Sequence, residues 1–327
     1  MDSVSTDILI AGGGVAGLTA AAAFGAAGLR VILADPAPPV TDGTDPAADL
    51  RTTAFLRPAR DLLQEAGVWD ALAPHAMDLR VMRIMETGGT GAPVSRDFEA
   101  SDIGAESFGW NFPNWLLRRE LMGRLAGLQS VELRLGTGIA DVLARTSGAR
   151  ATLTDGTRID ARLLIAADGR ESRVRAALGI PARTFRYGQK ALAFAVTHRV
   201  PHERVSTEIH RSGGPFTLIP LPDRDGQPCS SVVWMERGPE AERLAGLGTE
   251  AFEKAATERS AGVAGPLTLA TRRQVWPMIS RLADRLTGPH VALVAEAAHV
   301  VPPIGAQGLN MSLADITCLL DLARRDP

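Results

Sequence analysis

A glycine-rich turn near the start of the chain is the feature that most constrains the fold. The segment ILIAGGGVAGL places Gly12, Gly14 and Gly17 between an apolar run, which predicts a short buried strand, and an alanine-rich run, which predicts a helix. A second apolar run follows and ends at Asp35. Strand, turn, helix and strand in this order predict a βαβ unit with two parallel strands.

The three glycines have the spacing G-x-G-x-x-G. The first permits a tight turn, the second lets the backbone approach a pyrophosphate, and the third lets the helix pack closely on the strand. Asp35 ends the next strand, where a carboxylate accepts hydrogen bonds from a ribose diol and disfavours a 2′-phosphate. The motif therefore predicts a dinucleotide site without distinguishing NAD from FAD. A glycine turn that binds no ligand is the alternative.

Composition narrows the classes of function. The 327 residues carry a formal net charge of −2 and no broad basic patch, so we expect no nucleic-acid partner. Cys229 and Cys318 lack CxxC spacing, which predicts reduced thiols in a cytoplasmic protein rather than a disulfide or a metal site. The uncharged run 8–29 is long enough to span a bilayer, but its central glycines favour a strand, a turn and a buried helix.

The order of predicted elements indicates a discontinuous α/β architecture. A Rossmann-like domain takes residues 1–75, 101–179 and 276–327. A β-rich domain, formed by residues 76–100 and 180–275, is inserted into it.

Four further segments carry a family resemblance. LIAADGRESRVR, which holds Asp168, and VAEAAHVVPPIGAQGLN resemble the second and third motifs of flavoprotein aromatic hydroxylases. DLRTTAF, with Arg51, and PNWLLRREL, with Asn114, match two other family segments. The ordered set resembles the FAD-dependent aromatic monooxygenases of the p-hydroxybenzoate hydroxylase type, and among them the ubiquinone-biosynthesis hydroxylases. The resemblance covers essentially the whole chain and implies a GR2-type FAD-binding domain with an inserted substrate domain.

The resemblance also assigns residues to the cofactor. At the pyrophosphate it implies Gly12, Gly14, Ala16 and Gly17, with Arg51 nearby and Asp168 contributing there and to nicotinamide use; Asp35 is implied at the adenosine ribose. Beside the ribityl chain it implies Asn114 and Glu296. At the flavin ring it implies Pro303, Gly305 and Ala306, with the backbone of Leu309 and Asn310 at the pyrimidine end. No catalytic side chain is assigned, because the flavin carries the chemistry.

The chain departs from the family pattern at several points. Glu296 stands where the family usually has Asp, and Ala295 where it usually has Gly. Tyr187 is the only tyrosine, so a tyrosine relay that ionises a bound phenol is not expected. His299 is expected to pack or cap rather than to act as a base. Family members usually continue past the third-motif helix, so we expect a C-terminal family segment to be absent.

The implied reaction uses NADPH or NADH to reduce FAD, after which O₂ forms a C4a-hydroperoxyflavin that hydroxylates a phenolic ring. The expected substrate is a small aromatic molecule, in particular a prenylated phenol of ubiquinone biosynthesis. Peripheral contact of a cytoplasmic protein with the inner membrane or a ubiquinone-synthesis complex is a further hypothesis. An FAD-dependent reductase or dehydrogenase, and a non-catalytic scaffold subunit, are the alternatives on the same fold.

Overall fold

The computed structural model describes residues 3–88, 93–211 and 213–325. The helices are α1 Val15–Ala26, α2 Arg57–Glu65, α3 Trp69–Leu72, α4 Asn114–Ala126, α5 Arg173–Ala177, α6 Gly238–Ala245, α7 Thr249–Arg259, α8 Ala295–Ala298 and α9 Gln307–Arg325. The strands are β1 Ser3–Ala11, β2 Val31–Asp35, β3 Thr52–Leu56, β4 Met77–Leu79, β5 Val81–Glu86, β6 Val94–Glu99, β7 Gly109–Pro113, β8 Val131–Leu135, β9 Ile139–Arg145, β10 Gly148–Leu153, β11 Arg158–Ala166, β12 Ala182–Thr197, β13 Val205–Arg211, β14 Gly214–Arg224, β15 Gln227–Arg237, β16 Thr268–Leu269, β17 Gln274–Ala283, β18 Thr287–Gly288, β19 Val291–Leu293 and β20 His299–Val300.

Sheet A contains the predicted βαβ unit. Its strand order is β18-β19-β11-β1-β2-β8, with β10 and β9 paired beyond β11. The run β19-β11-β1-β2-β8 is parallel, which places the carboxyl ends of these strands at one edge. Helix α1 is buried along its length because alanine and glycine let neighbouring elements approach on every side. The Rossmann-like part of the predicted fold is therefore confirmed.

Sheet B has the strand order β20-β17-β12-β15-β14-β13-β5-β6, with β16 beside β12. One face of its centre packs Phe194 and Trp234 against Phe252 of helix α7. Because side chains alternate along a strand, Ala191 and Ala193 point to the other face. A small sheet C, ordered β3-β7-β4, lies beside it and contacts β14.

Several predicted boundaries differ from the structure. The sequence pattern predicts a helix over residues 57–69, but helix α2 ends at Glu65. It also predicts helical structure over residues 239–262, and the structure has two helices there, separated at Gly246–Gly248. The domain boundary predicted between residues 275 and 276 falls inside β17, which pairs with β12 from Gln274 to Ala283. The division into two domains stays a prediction, with residues 274–283 lying in sheet B.

Among residues 3–88, 93–211 and 213–325, none of the helices combines the length and the apolar character that crossing a bilayer needs. The run 8–29 instead forms β1, a turn and α1.

Candidate functional site

The glycine turn, residues 12–17, joins β1 to α1. Gly12 has a φ of +109°, and a Cβ there would lie 2.4 Å from the carbonyl oxygen of Ala167. A Cβ on Gly17 would lie 1.9 Å from the carbonyl oxygen of Gly12. A Cβ on Gly14 would meet no atom within 4 Å. The protein therefore fills the space beside Gly12 and Gly17, and leaves it open at Gly14.

The N-terminus of α1 adds a second feature of an anion site. Gly14 is its N-cap, and no side chain caps the helix there. The first N–H groups of an uncapped helix carry partial positive charge and attract phosphates. The open space at Gly14 fits the pyrophosphate of a dinucleotide, and so does the small side chain of Ala16 in the first turn of the helix.

Asp35 ends β2 beside this turn. Its Oδ2 accepts a hydrogen bond from the backbone N–H of Gly13, and its Oδ1 accepts one from Ala37 N at 2.8 Å. A carboxylate has about four acceptor sites, so these two bonds leave capacity for a diol. The backbone thus fixes the carboxylate at the end of β2, beside the glycine turn.

Asp168 follows β11, next to the glycine turn. Its Oδ2 accepts a hydrogen bond from Val174 N at 3.1 Å, at the start of α5. Its Oδ1 is buried and has no partner among the residues that the structure describes. Buried acceptors are normally paired, so this oxygen fits a hydroxyl or N–H donor of a bound molecule.

A charged wall, defined as Asp49, Arg51, Arg170 and Glu296, forms the second part of the site. Arg51 donates from Nε and Nη2 to the two carboxylate oxygens of Asp49 at 2.8 and 2.7 Å. Asn114 donates from Nδ2 to Asp49 at 3.0 Å and accepts from Thr53 Oγ1 at 2.8 Å. The side chain of Asn114 therefore positions Asp49.

The charges of this wall shift its pKa values. Burial opposes ionisation of Asp49, but the hydrogen bonds and charge of Arg51 outweigh it and lower the pKa of the carboxyl. Burial also opposes the charged form of Arg51, while Asp49 and the nearby charge of Glu296 raise the pKa of the guanidinium. Both groups are therefore ionised at neutral pH.

Glu296 lies in the short helix α8 and faces Arg170. Arg170 donates from Nε and Nη2 to its two carboxylate oxygens, each at 3.1 Å. Ala295, directly before it, has a φ of +53°, a conformation that favours glycine. Behind this pair, Arg175 donates to the carbonyl oxygens of Ala297 and Arg170, both at 2.8 Å. Burial, reinforced by the charge of Arg281, lowers the pKa of Arg175.

The last turn of the third motif leads into α9. Gly305 and Ala306 have φ values of +62° and +55°. Asn310 accepts from Leu56 N at 2.9 Å and donates to the carbonyl oxygens of Ala54 and Ala306. This side chain joins the start of α9, with Leu309, to the edge of β3.

A cavity of about 140 Å³ lies between the charged wall and sheet B. Among the predicted residues, Arg51, Glu296 and Pro303 line it. The apolar lining comes from β12, β15, β17 and the third motif: Ala191, Ala193, Phe194, Val232, Val233, Trp276, Pro277, Met278, Ile279, Val300, Val301 and Pro302. The hydroxyls of Thr52 and Ser231, 2.8 Å apart, add a polar corner.

Two residues that the sequence singles out, His299 and Tyr187, form hydrogen bonds outside the cavity. His299 Nε2 lies 2.9 Å from Asp315 Oδ2 and joins β20 to α9, as expected for a packing residue. The Tyr187 hydroxyl lies 2.8 Å from Ser280 Oγ on an exposed part of β12. The structure thus gives neither side chain a place in the cavity lining.

Sequence reasoning missed Asp49, Arg170 and Trp276. Arg170 lies inside the segment LIAADGRESRVR, two residues after the motif carboxylate of Asp168, and this position could have indicated a role in the site. Trp276 stacks under Arg51, with the guanidinium carbon 4.0 Å from the ring centroid. The alternation of side chains along β17 could have placed Trp276 on the cavity face, but the predicted domain boundary between residues 275 and 276 divided this strand.

Comparison with known proteins agrees with this geometry. The family described as FAD binding domain matches residues 5–322. Ubiquinone hydroxylase UbiL of Rhodospirillum rubrum is 31% identical over 321 residues, covering 96% of this chain and 71% of that protein. The 3-demethoxyubiquinol 3-hydroxylase of Escherichia coli is 26% identical over 322 residues, covering 98% and 80%.

Solved structures show the same fold. The structure of PqsL, a probable FAD-dependent monooxygenase from Pseudomonas aeruginosa, has a TM-score of 0.80 at 23% identity, covering 98% of this chain and 87% of that one. The matched family and relatives confirm the resemblance on which the sequence interpretation rests. The chain belongs to the FAD-binding-domain family and is an FAD-dependent monooxygenase of the p-hydroxybenzoate hydroxylase type.

Proposed function

We propose that this protein uses FAD, NADPH or NADH, and O₂ to hydroxylate a phenolic ring, and that the ring belongs to a prenylated phenol of ubiquinone biosynthesis. The similarity to proteins named as ubiquinone hydroxylases supports the substrate class. The cavity carries the proposal, because it combines the charged wall and Pro303 of the third motif with an apolar sheet face. Such a lining suits an aromatic ring with a hydrocarbon chain.

The cofactor end of the proposal rests on the glycine turn. Gly12, Gly14, Ala16 and Gly17 would hold the pyrophosphate at the uncapped end of α1. Asp35 would accept from the adenosine ribose. The unpartnered Oδ1 of Asp168 would accept a donor at the same end of the cofactor.

The flavin end of the proposal rests on the charged wall and the last turn. Arg51, which the resemblance implies near the pyrophosphate, also lines the cavity and would supply a fixed positive charge between the pyrophosphate and the flavin ring, held by Asp49 and indirectly by Asn114. Glu296 would use its remaining acceptor sites on the ribityl hydroxyls while Arg170 holds its orientation. Gly305 and Ala306 would pass beside the ring, with the N–H groups of Leu309 and Asn310 at its pyrimidine end.

When bound, FAD supplies the redox chemistry, passing electrons from NAD(P)H to O₂ and one oxygen atom to the ring. The chain binds and orients the reactants. The valine, methionine and proline side chains of the cavity exclude water from the reacting ring. The charged wall sets a preorganised field around the cofactor.

The test is the fate of labelled oxygen. The purified protein should be yellow, should be bleached by NADPH without air, and should transfer ¹⁸O from ¹⁸O₂ to a prenylated phenol. NADPH consumption with an altered product that lacks ¹⁸O would favour the reductase or dehydrogenase. A colourless protein that does not take up added FAD would favour the scaffold and defeat the proposal.

We also propose that the protein contacts the cytoplasmic face of the inner membrane peripherally. Phe185 on β12 and Leu282 on β17 are 62% and 57% exposed. Arg183 pairs directly with Leu282, and Phe185 pairs with Ser280, so Arg183, Phe185 and Leu282 share one sheet face. Arg183 Nε lies 3.1 Å from Asp284 Oδ1, but its side chain is 87% exposed, so the guanidinium can also meet an anionic lipid surface beside the aromatic and leucine side chains.

Flotation with vesicles tests this contact. The protein should float with vesicles that contain phosphatidylglycerol and less with vesicles of phosphatidylcholine alone. Replacing both Phe185 and Leu282 by serine should abolish flotation and leave FAD binding unchanged. Equal flotation of the variant would contradict the assignment of this face.

A further inference from the structure

The indole of Trp276 carries a hydrogen-bond donor that the protein does not satisfy. Its ring lines the cavity, and its Nε1–H is buried without an acceptor among residues 3–88, 93–211 and 213–325. An indole N–H only donates. Leaving such a donor buried and unpaired destabilises the free protein, so its retention points to an acceptor that a bound molecule supplies.

The surroundings hold this ring in place. Arg51 stacks on it, and Asp49 fixes the guanidinium of Arg51 by two hydrogen bonds. In sheet B, Trp276 pairs with Ala191, and Ala193 is next along the same face of β12. The alanines leave room beside the ring, so a planar molecule can lie against the sheet.

The hydroxyl groups of Thr52 and Ser231, at the other polar corner of the cavity, already have hydrogen-bond partners within the protein. Thr52 Oγ1 and Ser231 Oγ lie 2.8 Å apart, and Ser231 also lies 3.3 Å from the carbonyl oxygen of Ile219. Within the part of the chain that the structure describes, Trp276 is thus the cavity-lining residue with a buried side-chain donor that has no acceptor. An acceptor oxygen on the occupant would complete it.

We propose that Trp276 determines specificity by donating a hydrogen bond from Nε1 to an oxygen substituent of the aromatic substrate. The inference rests on the proposed function and deepens it. A site built to bond a substrate oxygen discriminates against the analogue that lacks it, because the buried donor is then left unpaired. The selected feature is therefore the ring oxygen, while the alanine-lined face accepts the hydrocarbon part.

Trp234 on the neighbouring strand β15 provides a matched control. It packs on the opposite face of sheet B, against Phe216 and Phe252. Its Nε1 has an acceptor, Glu236 Oε1 at 3.2 Å. The two tryptophans therefore differ in whether the protein itself satisfies the indole.

The experiment compares Trp276→Phe and Trp234→Phe with the wild-type holoenzyme. The probes are 2-prenylphenol and prenylbenzene, which lacks the ring oxygen, and binding is read from the flavin absorbance without NADPH. Trp276→Phe should weaken 2-prenylphenol binding about tenfold and leave prenylbenzene binding unchanged. Trp234→Phe should preserve the ratio of the two dissociation constants.

Two further measurements keep the outcomes distinct. The FAD dissociation constant, read from flavin fluorescence, should be the same in Trp276→Phe and wild type. If FAD binding is weakened while the ratio of the 2-prenylphenol and prenylbenzene dissociation constants is unchanged, the Trp276 donor belongs to the cofactor and the inference is overturned. The thermal midpoint of the apoprotein should fall further in Trp234→Phe than in Trp276→Phe. Trp234→Phe loses an intramolecular hydrogen bond to Glu236, whereas Trp276→Phe removes an unpaired donor and keeps an aromatic ring under Arg51.

A shape-preserving replacement covers failure of the phenylalanine variant to fold. Benzothienylalanine at position 276 keeps the bicyclic ring and replaces N–H by sulfur, and it should give the same tenfold loss for 2-prenylphenol. An unchanged ratio in this protein would overturn the inference while leaving the proposed hydroxylation intact. Absence of FAD binding in the wild type would instead defeat the proposed function.

Discussion

The glycine turn and the charged wall face the same proposed cofactor but are held by different forces. In the glycine turn, backbone contacts set the shape, and Asp35 is fixed by the N–H groups of Gly13 and Ala37. In the charged wall, the shape depends on the side-chain pairs Asp49–Arg51 and Arg170–Glu296. The first region should respond to added volume, and the second to pH, salt and charge removal.

The largest effect is expected from Gly17→Ala. The new methyl group would overlap the carbonyl oxygen of Gly12, so the turn must open and the free energy of unfolding should fall by about 3 kcal/mol. Urea unfolding of the apoprotein measures this loss. If Gly17→Ala is as stable as the wild type, the turn is not sterically fixed.

Gly14→Ala is the matched variant in the same turn. Its methyl group meets no protein atom, so stability should change by less than about 1 kcal/mol. FAD affinity should nevertheless fall at least about tenfold, or ~1.4 kcal/mol, because the methyl group occupies the proposed pyrophosphate space. If Gly14→Ala binds FAD as tightly as the wild type, the pyrophosphate does not lie against Gly14.

Asp49→Asn tests the charge dependence of the wall. Losing the charge-assisted bonds to Arg51 should lower the free energy of unfolding by roughly 2 kcal/mol at pH 7. Because the folded-state pKa of Asp49 is lowered, its contribution is present above the unfolded value of about 3.9 and is lost as pH falls through the folded value.

The measurement is urea unfolding of wild type and Asp49→Asn between pH 7 and pH 3. The difference between the two proteins should begin to shrink below about pH 4, because the Asp49 carboxyl of the unfolded wild type then takes up a proton while the folded-state carboxyl is still ionised. Parallel stability curves over this range would show that Asp49 does not couple folding to pH.

Glu296→Ala should have a small effect on stability and a larger one on the cofactor. The side chains of Arg170 and Glu296 are 27% and 42% exposed, so the ion pair contributes less than about 1 kcal/mol and is weakened by salt. FAD affinity should fall about tenfold if the carboxylate also meets the ribityl chain. Flavin fluorescence titrations at low and high salt measure it.

Arg170→Met is the control for the ion pair. It removes the same salt bridge but keeps the carboxylate, so it should weaken FAD binding less than Glu296→Ala does. Equal affinities of wild type and Glu296→Ala would mean that Glu296 serves Arg170 alone.

The smallest effect is expected from Ala295→Gly, which should be stabilising. Ala295 has a φ of +53°, and relieving this strain should raise the free energy of unfolding by about 0.5 to 1 kcal/mol after the entropic cost of glycine. Ala297→Gly, in the same short helix without a positive φ, should instead lower it. A destabilised Ala295→Gly variant would show that the Ala295 methyl group makes a packing contribution larger than the strain.

The sequence predicted the elements whose signal is local or ordered along the chain. The glycine turn requires its residues at positions 12 and 17 for steric reasons, so the motif and the βαβ fold follow from the residues themselves. The third motif was likewise found from its own segment. The family and the α/β fold were confirmed on this basis.

The charged wall could not be predicted in the same way. Arg170 and Glu296 are 126 positions apart, and the sequence does not tell which of several nearby cations Glu296 would meet. Asp49 begins the segment DLRTTAF, but the sequence does not show that its carboxylate meets Arg51 and Asn114, and these two contacts give it its role. The role of Trp276 depends on the register between β12 and β17, which no single segment encodes.

The strand order of sheet A has a consequence for synthesis on the ribosome. Strand β1 pairs with β2 and β11, and β19, which leads into Glu296, pairs with β11. Parallel strands from distant segments form slowly because long loops must close first. A nascent chain can therefore assemble the glycine turn early, but it must wait for residues 291–310 before both ends of the proposed cofactor site exist. Flavin present in the cell would then stabilise the fold only after release of this segment, as a ligand that binds the native state alone.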